Sequence, residues 1–349
     1  NYLMSLKCGP EHSLQMFRLT SLWLENRSHE EVCQVMEQHL NNISTYRFLP
    51  VVPQLAPHIS NRADDNFTRQ LNTLLERCAV DHPHHTLPVI LALANSHKDK
   101  EYTGAKSGIT TEPRVLGAQN MIHRLKKRSE VNSILIQMEE VAAALIALAY
   151  YETKQTKVNS IPKSILKHLI NKTLVAVPTM TIPVNKDCKY DDIIGIHKYS
   201  DNFGLVGGIN APKKISCWGT DGIERPQLVK GKDDLRQDAV MQQVFTILNT
   251  LLKNNKETKK RKLLIRTYKI VPLSQRSGVL EWCQNTQPLS SYLTGANGAH
   301  ERYYPEDRSV KECRTLIMRF NMQVLWTTKG GAGVDIQGRQ LKDHQSVTS

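Results

Sequence analysis

Apolar residues recur at helical intervals through the first half of the chain. In DDNFTRQLNTLLERC, Phe67, Leu71, Leu74, Leu75 and Cys78 fall at the i, i+4, i+7, i+8 spacing of one helix face. Val131, Ile134, Leu135, Met138, Val141, Leu145 and Leu148 repeat that spacing over a longer stretch, and SLQMFRLTSLWLEN and HEEVCQVMEQHL add two more amphipathic segments. Breakers separate them: Pro50 to Pro53 and Pro57, then His82-Pro83, then a polar run over 95–117. Successive helices with short breaks predict an α-helical solenoid over residues 1–173, although no strict sequence repeat accompanies it.

Near residue 174 the pattern changes. LVAVPTMTIPV mixes β-branched residues with prolines, and the polar, Gly-punctuated stretch behind it makes 174–202 read as a linker. Short strand-like runs follow at 203–206, 214–218, 227–229, 263–271 and 279–283. Between the third and fourth runs, Leu235, Met241, Val244, Phe245, Leu248, Leu251 and Leu252 share one face of DDLRQDAVMQQVFTILNTLLKN. Asp233 and Asp234 lie beside the positive N-terminal end of that helix. A small antiparallel sheet with one long helix laid over it is an α+β arrangement, expected over 203–314. From about Thr315 both periodicities fade, so 315–349 reads as an irregular tail.

Composition narrows this only a little. Hydrophobic residues are 40% and charged residues 23%, enough apolar material for a buried core. The formal net charge of +13 admits an acidic partner such as nucleic acid, ATP or an acidic protein. The basic residues are scattered, which suits a piece of a larger molecule whose other parts balance the charge. The 7 cysteines are widely spaced without C-x-x-C, which implies reduced thiols in a nuclear or cytosolic setting. The start shows neither Met nor a signal peptide, so the chain is expected to begin within a longer protein. The most apolar window, 141–151, is too short to span a bilayer, and no membrane partner is expected.

A phosphate-binding kinase lobe needs a small-residue turn, a Lys on a strand and an acidic residue that holds this Lys. GLVGGINAPKK offers the turn: Gly207 and Gly208 permit close backbone approach, and Lys213 and Lys214 add charge. Lys230 ends the apolar run of QLVKGKDDLRQD, and acidic groups begin within three residues, with Asp238 on the first turns of the helix behind. Each feature alone fits an ordinary hairpin or an ordinary strand-to-helix turn.

Together, LVKGKDDLRQDAVMQQVF and TYKIVPLSQRSGVLEWC resemble the small lobe of the phosphatidylinositol-3-kinase-related protein kinases. VDHPHHTLPVILALAN and DGIERPQLVKGKDDLRQDAVMQQVF are most similar to the branch that answers DNA double-strand breaks, and the resemblance covers roughly residues 12–314. The resemblance implies that the first half is the end of the FAT helical region and that 203–314 is the kinase small lobe. It implies ATP and Mg²⁺ as cofactors, with Gly207, Gly208, Asn210 and Pro212 in the phosphate loop. Lys230 then matches the ATP-contacting lysine, and Asp233 and Asp238 match the acidic positions that hold it. Tyr268 falls at the back of the adenine pocket, while Glu281, Trp282 and Cys283 fall on the hinge. Implied for the family are transfer of the ATP γ-phosphate to Ser or Thr preceding Gln, homodimers, DNA-break sensor complexes, and a nuclear (also cytoplasmic) location.

Two family motifs do not occur in the chain: G-D-R-H-x-x-N and D-[LF]-G, which supply the catalytic Asp, the Asn and the metal-binding Asp. Asp307-Arg308-Ser309 and Asp335-Ile336-Gln337 imitate them only superficially. The chain alone is therefore expected to be inactive in phosphoryl transfer. A non-catalytic helical interaction fragment is the rival reading, and a lipid kinase is a third that the K-G-x-D-D-L-R-Q-D run alone permits. Three further features stay open. Cys78, His82, His84 and His85 form either a zinc set or a helix-connecting turn. KETKKRK is either a nuclear-localisation patch or a solvated loop. Asn26, Asn42, Asn66 and Asn171 fit the glycosylation pattern but are irrelevant in a reducing compartment.

Overall fold

Helices build the first half of the chain, in a computed structural model that describes residues 2–8, 14–61, 65–104, 112–153, 158–207, 210–295 and 297–328. In chain order they are α1 (Tyr2–Cys8), α2 (Gln15–Glu25), α3 (Glu30–Leu40), α4 (Val52–Leu55), α5 (Asn66–Asp81), α6 (Pro83–Ala94), α7 (Lys98–Thr103), α8 (Pro113–Leu125), α9 (Asn132–Tyr150) and α10 (Lys163–Leu166). Sequence explains the α5–α6 pair. The Asp65 carboxylate accepts the Phe67 and Thr68 amides at the open end of α5. Pro83 then opens α6 at a position whose amide would have no helical partner. The periodic residues Leu71, Leu74, Leu75 and Cys78 are all buried.

Two expected breaks are more structured than the sequence implies. Pro50, Pro53 and Pro57 each sit in the first turn of a short helical segment, where proline is tolerated. The polar run over 95–117 holds α7 and the beginning of α8. The apolar window at 141–151 belongs to the 19-residue α9, long and apolar enough by length and composition to cross a membrane, contrary to the sequence expectation. In this protein α9 is a core helix: Leu135, Val141, Leu145 and Leu148 are buried among other side chains.

Among the described residues eight strands follow in one antiparallel sheet: β1 (Val158–Ser160), β2 (Lys172–Ala176), β3 (Gly195–Tyr199), β4 (Asn202–Leu205), β5 (Lys213–Gly219), β6 (Glu224–Gly231), β7 (Ile270–Pro272) and β8 (Ser277–Glu281). Their order is β1-β4-β5-β6-β8-β7, with β3 also pairing with β5 and carrying β2. The segment read as a linker thus supplies β3 and most of β2. The expected strand over 263–271 is confined to Ile270–Pro272. The reason lies in the long helix α11 (Leu235–Asn254), whose side chains satisfy this backbone in place of a ladder. Asn249 accepts the Ile265 amide at 2.8 Å and donates to its carbonyl at 2.7 Å, and Gln242 accepts the Tyr268 amide at 3.1 Å.

One apolar core runs from the helices into the sheet, joining α9 residues to Val175, Ile196, Tyr199, Phe203, Ile215, Val229 and Val279. A smaller cluster of Leu235, Ile270 and Leu280, with Leu228, Ala239 and Tyr268 packed against it, connects α11 to the sheet. The KETKKRK run forms the exposed α12 (Lys256–Lys260) and the turn behind it.

Residues 1–282 form one compact unit and 283–349 a second. The second contains α13 (Leu289–Thr294), α14 (Ala299–Tyr303) and α15 (Val310–Thr328). The tail expected to be irregular from Thr315 is therefore helical as far as Thr328. Its signal was local and legible: the Ser309 hydroxyl accepts the Glu312 amide while the Glu312 carboxylate accepts the Ser309 amide, a reciprocal cap. Asp307 and Arg308 immediately precede that cap, and Asp335 lies outside the described residues.

Candidate functional site

The turn between β4 and β5 is closed by the Leu205↔Lys213 pair and by the Val206 amide donating to the Pro212 carbonyl at 2.9 Å. Gly207 and Asn210 are exposed at this turn, Pro212 is half-buried, and Ala211 carries a positive φ of 41°. Gly208 lies outside the described residues. The two lysines that follow diverge, because side chains alternate faces along a strand. Lys213 is buried, and its Nζ donates to the Ala149 carbonyl at 2.9 Å in the last turn of α9. Burial, aided by the Lys232 charge, pushes its ammonium down to about 8. Lys214 is exposed on the other face, with Nζ 4.3 Å from the centre of the Trp282 ring.

Lys230 lies near the end of β6, opposite Gly278 on β8. That neighbour has to be small: a Cβ on Gly278 would lie 2.6 Å from the Val271 carbonyl oxygen. Lys230 Nζ is 3.4 Å from the Asp233 carboxylate, and both side chains are partly exposed. The Asp233 amide in turn donates to the Arg276 carbonyl at 3.0 Å. Asp234 is spent elsewhere. It caps α11 through the Arg236 amide and pairs with the Arg236 guanidinium, which holds its carboxyl below the usual range. Asp238 lies exposed in the first turn of α11, so of the two acidic positions the structure brings Asp233 to Lys230.

Register places Lys214, Leu228 and Leu280 side by side across three strands, and period-two alternation puts Lys230 on their face. Tyr268 packs against the Leu280 cluster at one margin. Trp282 lies beside Lys214, with its amide donating to the Pro226 carbonyl at 3.1 Å. The Glu281 amide is also committed, to the Lys269 carbonyl at 2.8 Å. Cys283 opens the second unit, where its carbonyl accepts the Thr286 hydroxyl at 3.0 Å. Two ammonium groups above an apolar and aromatic floor suit a planar heterocycle that carries phosphate. Sequence reasoning treated Lys213 and Lys214 alike, and only the pleat separates them. It missed Gln242 and Asn249 altogether, since nothing in a helical repeat marks a side chain that will serve a distant backbone.

Magnesium finds no such set of groups. Among the described residues no three His, Cys, Asp or Glu side chains converge on a metal-sized site. Asp233 and Asp234 are committed to Lys230 and Arg236. The described residues do not compose a Mg²⁺ site. The zinc alternative loses its ligands in the same way. Cys78 is buried, its thiol pushed up to about 12 and directed at the Thr45 carbonyl. His82 Nδ1 bonds the Tyr190 hydroxyl at 2.6 Å, and His85 Nε2 bonds the Ile182 carbonyl at 3.0 Å. Burial lowers His82, His84 and His85 alike, His84 to about 4, so this turn is a neutral packing cluster around Tyr190.

Comparison with known proteins fits this geometry. The family model described as phosphatidylinositol 3- and 4-kinase matches residues 225–326, a span that runs beyond Thr315. The serine-protein kinase ATM of Sus scrofa is 44% identical over 340 residues, covering 91% of this chain and 11% of the relative. ATM of Arabidopsis thaliana is 36% identical, covering 90% and 8%. The serine/threonine-protein kinase tel1 of Schizosaccharomyces pombe is 32% identical, covering 94% and 12%. Among solved structures, the open conformation of CtTel1 superposes with a TM-score of 0.79 at 34% identity, covering 91% of this chain and 12% of that one. The FAT and kinase domain of CtTel1 gives 0.78 at 34% identity, with 91% and 22% covered. The chain spans about a tenth of the length of the curated relatives it matches. By sequence along nine-tenths of its length, and by fold, it belongs to the ATM/Tel1 family of serine/threonine protein kinases.

Proposed function

We propose that the β4–β8 region is the ATP-clasping half of an ATM-type kinase site. Lys230 meets the α- and β-phosphates, the turn at Gly207, Gly208, Asn210 and Pro212 covers them, and the adenine edge meets the backbone of residues 281–283. One observation carries this reading: Lys230 stands on the same face as Lys214, Leu228 and Leu280, and is held by Asp233 alone among the described carboxylates. An ammonium has three donors, so the Asp233 pair fixes its position and leaves protons for phosphate oxygens. The Glu281 and Trp282 amides are committed to the Lys269 and Pro226 carbonyls, which fixes the course of this segment at the margin of the face. Tyr268 closes the back of the pocket, and Asp238, exposed in the first turn of α11, is the second acidic position of the motif.

In the whole protein this half-site serves transfer of the γ-phosphate of MgATP to Ser or Thr preceding Gln in proteins of the double-strand-break response. The setting is the nucleus (also the cytoplasm), in homodimers that work with DNA-break sensor complexes. The dimer is supported by a solved relative described as a complete CtTel1 dimer with C2 symmetry. The 349-residue chain itself binds nucleotide without transferring phosphate, because the catalytic-loop and metal-binding motifs do not occur in it. The similarity of the helical flank to ATM relatives favours a protein kinase over a lipid kinase.

Calorimetric titration of MgATP into the purified chain, beside Lys230→Ala, tests the reading. Saturable binding that the substitution abolishes is expected. No binding in either protein would leave the rival, a helical interaction fragment. Phosphate transfer that depends on Lys230 would overturn the claim of inactivity.

A further inference from the structure

The helical flank reaches the proposed nucleotide lysine through one buried carboxylate. Asp99, on α7, is 5% exposed, and among the described residues no lysine or arginine forms an ion pair with it. It accepts three hydrogen bonds instead. The Tyr150 hydroxyl, at the end of α9, donates at 2.8 Å, and the Ser274 hydroxyl at 2.7 Å to the same oxygen. The second oxygen accepts the backbone amide of Arg276 at 2.9 Å. Ser274 and Arg276 lie in the tight turn between β7 and β8, so a carboxylate from the helices organises a turn of the sheet. Tyr102 stacks on Tyr150 with ring centres 5.1 Å apart and helps to fix that hydroxyl, whose proton burial and the Asp99 bond hold on well above the usual range.

The turn passes the constraint on. The Arg276 carbonyl accepts the Asp233 amide at 3.0 Å, and the Arg276 guanidinium donates to the Lys232 carbonyl at 3.3 Å. Asp233 is the residue that holds Lys230. Lys232, between them, has a positive φ of 62°, a conformation that a non-glycine residue keeps only when its surroundings impose it. A second tie runs parallel to the first: the Asn95 side chain donates to the Leu273 carbonyl at 3.3 Å. Breaking a buried hydrogen bond to a charged acceptor is costly, so the turn cannot shift without losing Asp99 as its partner.

We infer that Asp99 is a positioning residue: through the Ser274–Arg276 turn it sets the backbone of residues 232–233 and thereby the reach of Lys230 toward phosphate. This deepens the nucleotide reading and rests on it for the role of Lys230. The state of the helical flank is then felt at the phosphate lysine through a contiguous set of bonds, a physical link of the kind that coupling between distant sites needs.

Asp99→Asn is the selective test. The amide side chain keeps one oxygen for the Tyr150 and Ser274 hydroxyls, but its nitrogen cannot accept from the Arg276 amide. Hydrogen exchange of the full 349-residue chain is read residue by residue beside MgATP affinity. Expected are exchange at Arg276 and Asp233 at least about tenfold faster, unchanged exchange at Ile215 and Val229, and MgATP binding about tenfold weaker. Ser274→Ala, which removes one donor and no charge, should move the same amides in the same direction and serves if Asp99→Asn does not fold. Unchanged exchange at Asp233 in the folded variant overturns the inference. Faster exchange with unaltered MgATP affinity also overturns it, by cutting the link to Lys230. If the wild-type chain shows no Lys230-dependent MgATP binding, the nucleotide reading fails by itself. The exchange at Asp233 then still decides whether Asp99 positions this backbone.

Discussion

Helices α9 and α11 are nearly equal in length, 19 and 20 residues, and an apolar face can be traced along each, yet they meet opposite fates. Helix α9 buries residues from Leu135 to Tyr150 between its helical neighbours and the sheet. Helix α11 buries only Leu235, while Met241 and Leu251 are 47% and 51% exposed. Its polar side chains do more than its apolar ones. Asn249 and Gln242 hold the 263–269 backbone, and Gln243 bonds the Pro50 carbonyl and the Gln54 side chain of the helical flank. Periodicity therefore reports that a face is apolar, and not whether this chain covers it. The stability of residues 1–282 is concentrated on the α9 side of the sheet, and the candidate nucleotide face lies on the less buried side. Such a division is common where a cleft has to admit a ligand.

Substitutions in the two stripes should separate most widely. Leu145→Ala removes a fully buried side chain of α9, and urea denaturation should show a loss of about 3 kcal/mol. Leu248→Ala on α11, where the leucine is 39% exposed, should cost less than about 1 kcal/mol in the same assay. Equal losses would mean that α11 is as deeply packed as α9.

Acid should act next, at the histidine turn that opens α6. His84 has its pKa lowered by burial from 6.5 to about 4, and His82 and His85 are lowered in the same direction. The unfolded chain then binds more protons than the folded one between these values, so stability rises with pH across this window. It is fully present above about 6.5 and should fall on acidification at up to about 1.4 kcal/mol per pH unit for His84 alone. His84→Gln should flatten that slope in urea titrations at pH 7 and pH 5. An unchanged slope would place the acid sensitivity elsewhere.

Helix caps give the smallest and finest contrast. Asp65 accepts two backbone amides and the Thr68 hydroxyl at the start of α5, and Asp65→Ala should cost about 1 kcal/mol of global stability. Asp234 accepts one amide at the start of α11. Asp234→Ala should show mainly as faster hydrogen exchange in the first turn of α11, with little change in the urea midpoint.

Much of this was legible in the sequence, and the exceptions share a cause. The α5, α9 and α11 faces, the β5–β6 pair and the Lys230–Asp233 spacing all follow from patterns within one element or across one turn. The lost strand at 263–269, the β3 strand inside an apparent linker and the Asp99 anchor do not. Each depends on a side chain or strand brought in from beyond the neighbouring turn, 16 residues away for Asn249 and 175 for Asp99, which no local period records. Helix α15 is different: Ser309 and Glu312 announced it, and the fading apolar pattern behind them concealed it. Of the expected site residues, Lys230, Asp233, Tyr268 and Trp282 gather around one sheet face. Asp238 is set apart on α11, and Lys214 joins the face through the pleat.

The most direct measurement is covalent labelling of the intact chain by an acyl-phosphate analogue of ATP, followed by peptide mapping. A nucleotide seated as proposed delivers its acyl group to the lysine nearest the phosphates. The expected result is dominant labelling of Lys230, suppressed by excess MgATP. Labelling spread over exposed lysines such as Lys256 and Lys259, with no protection by MgATP, would contradict the nucleotide half-site.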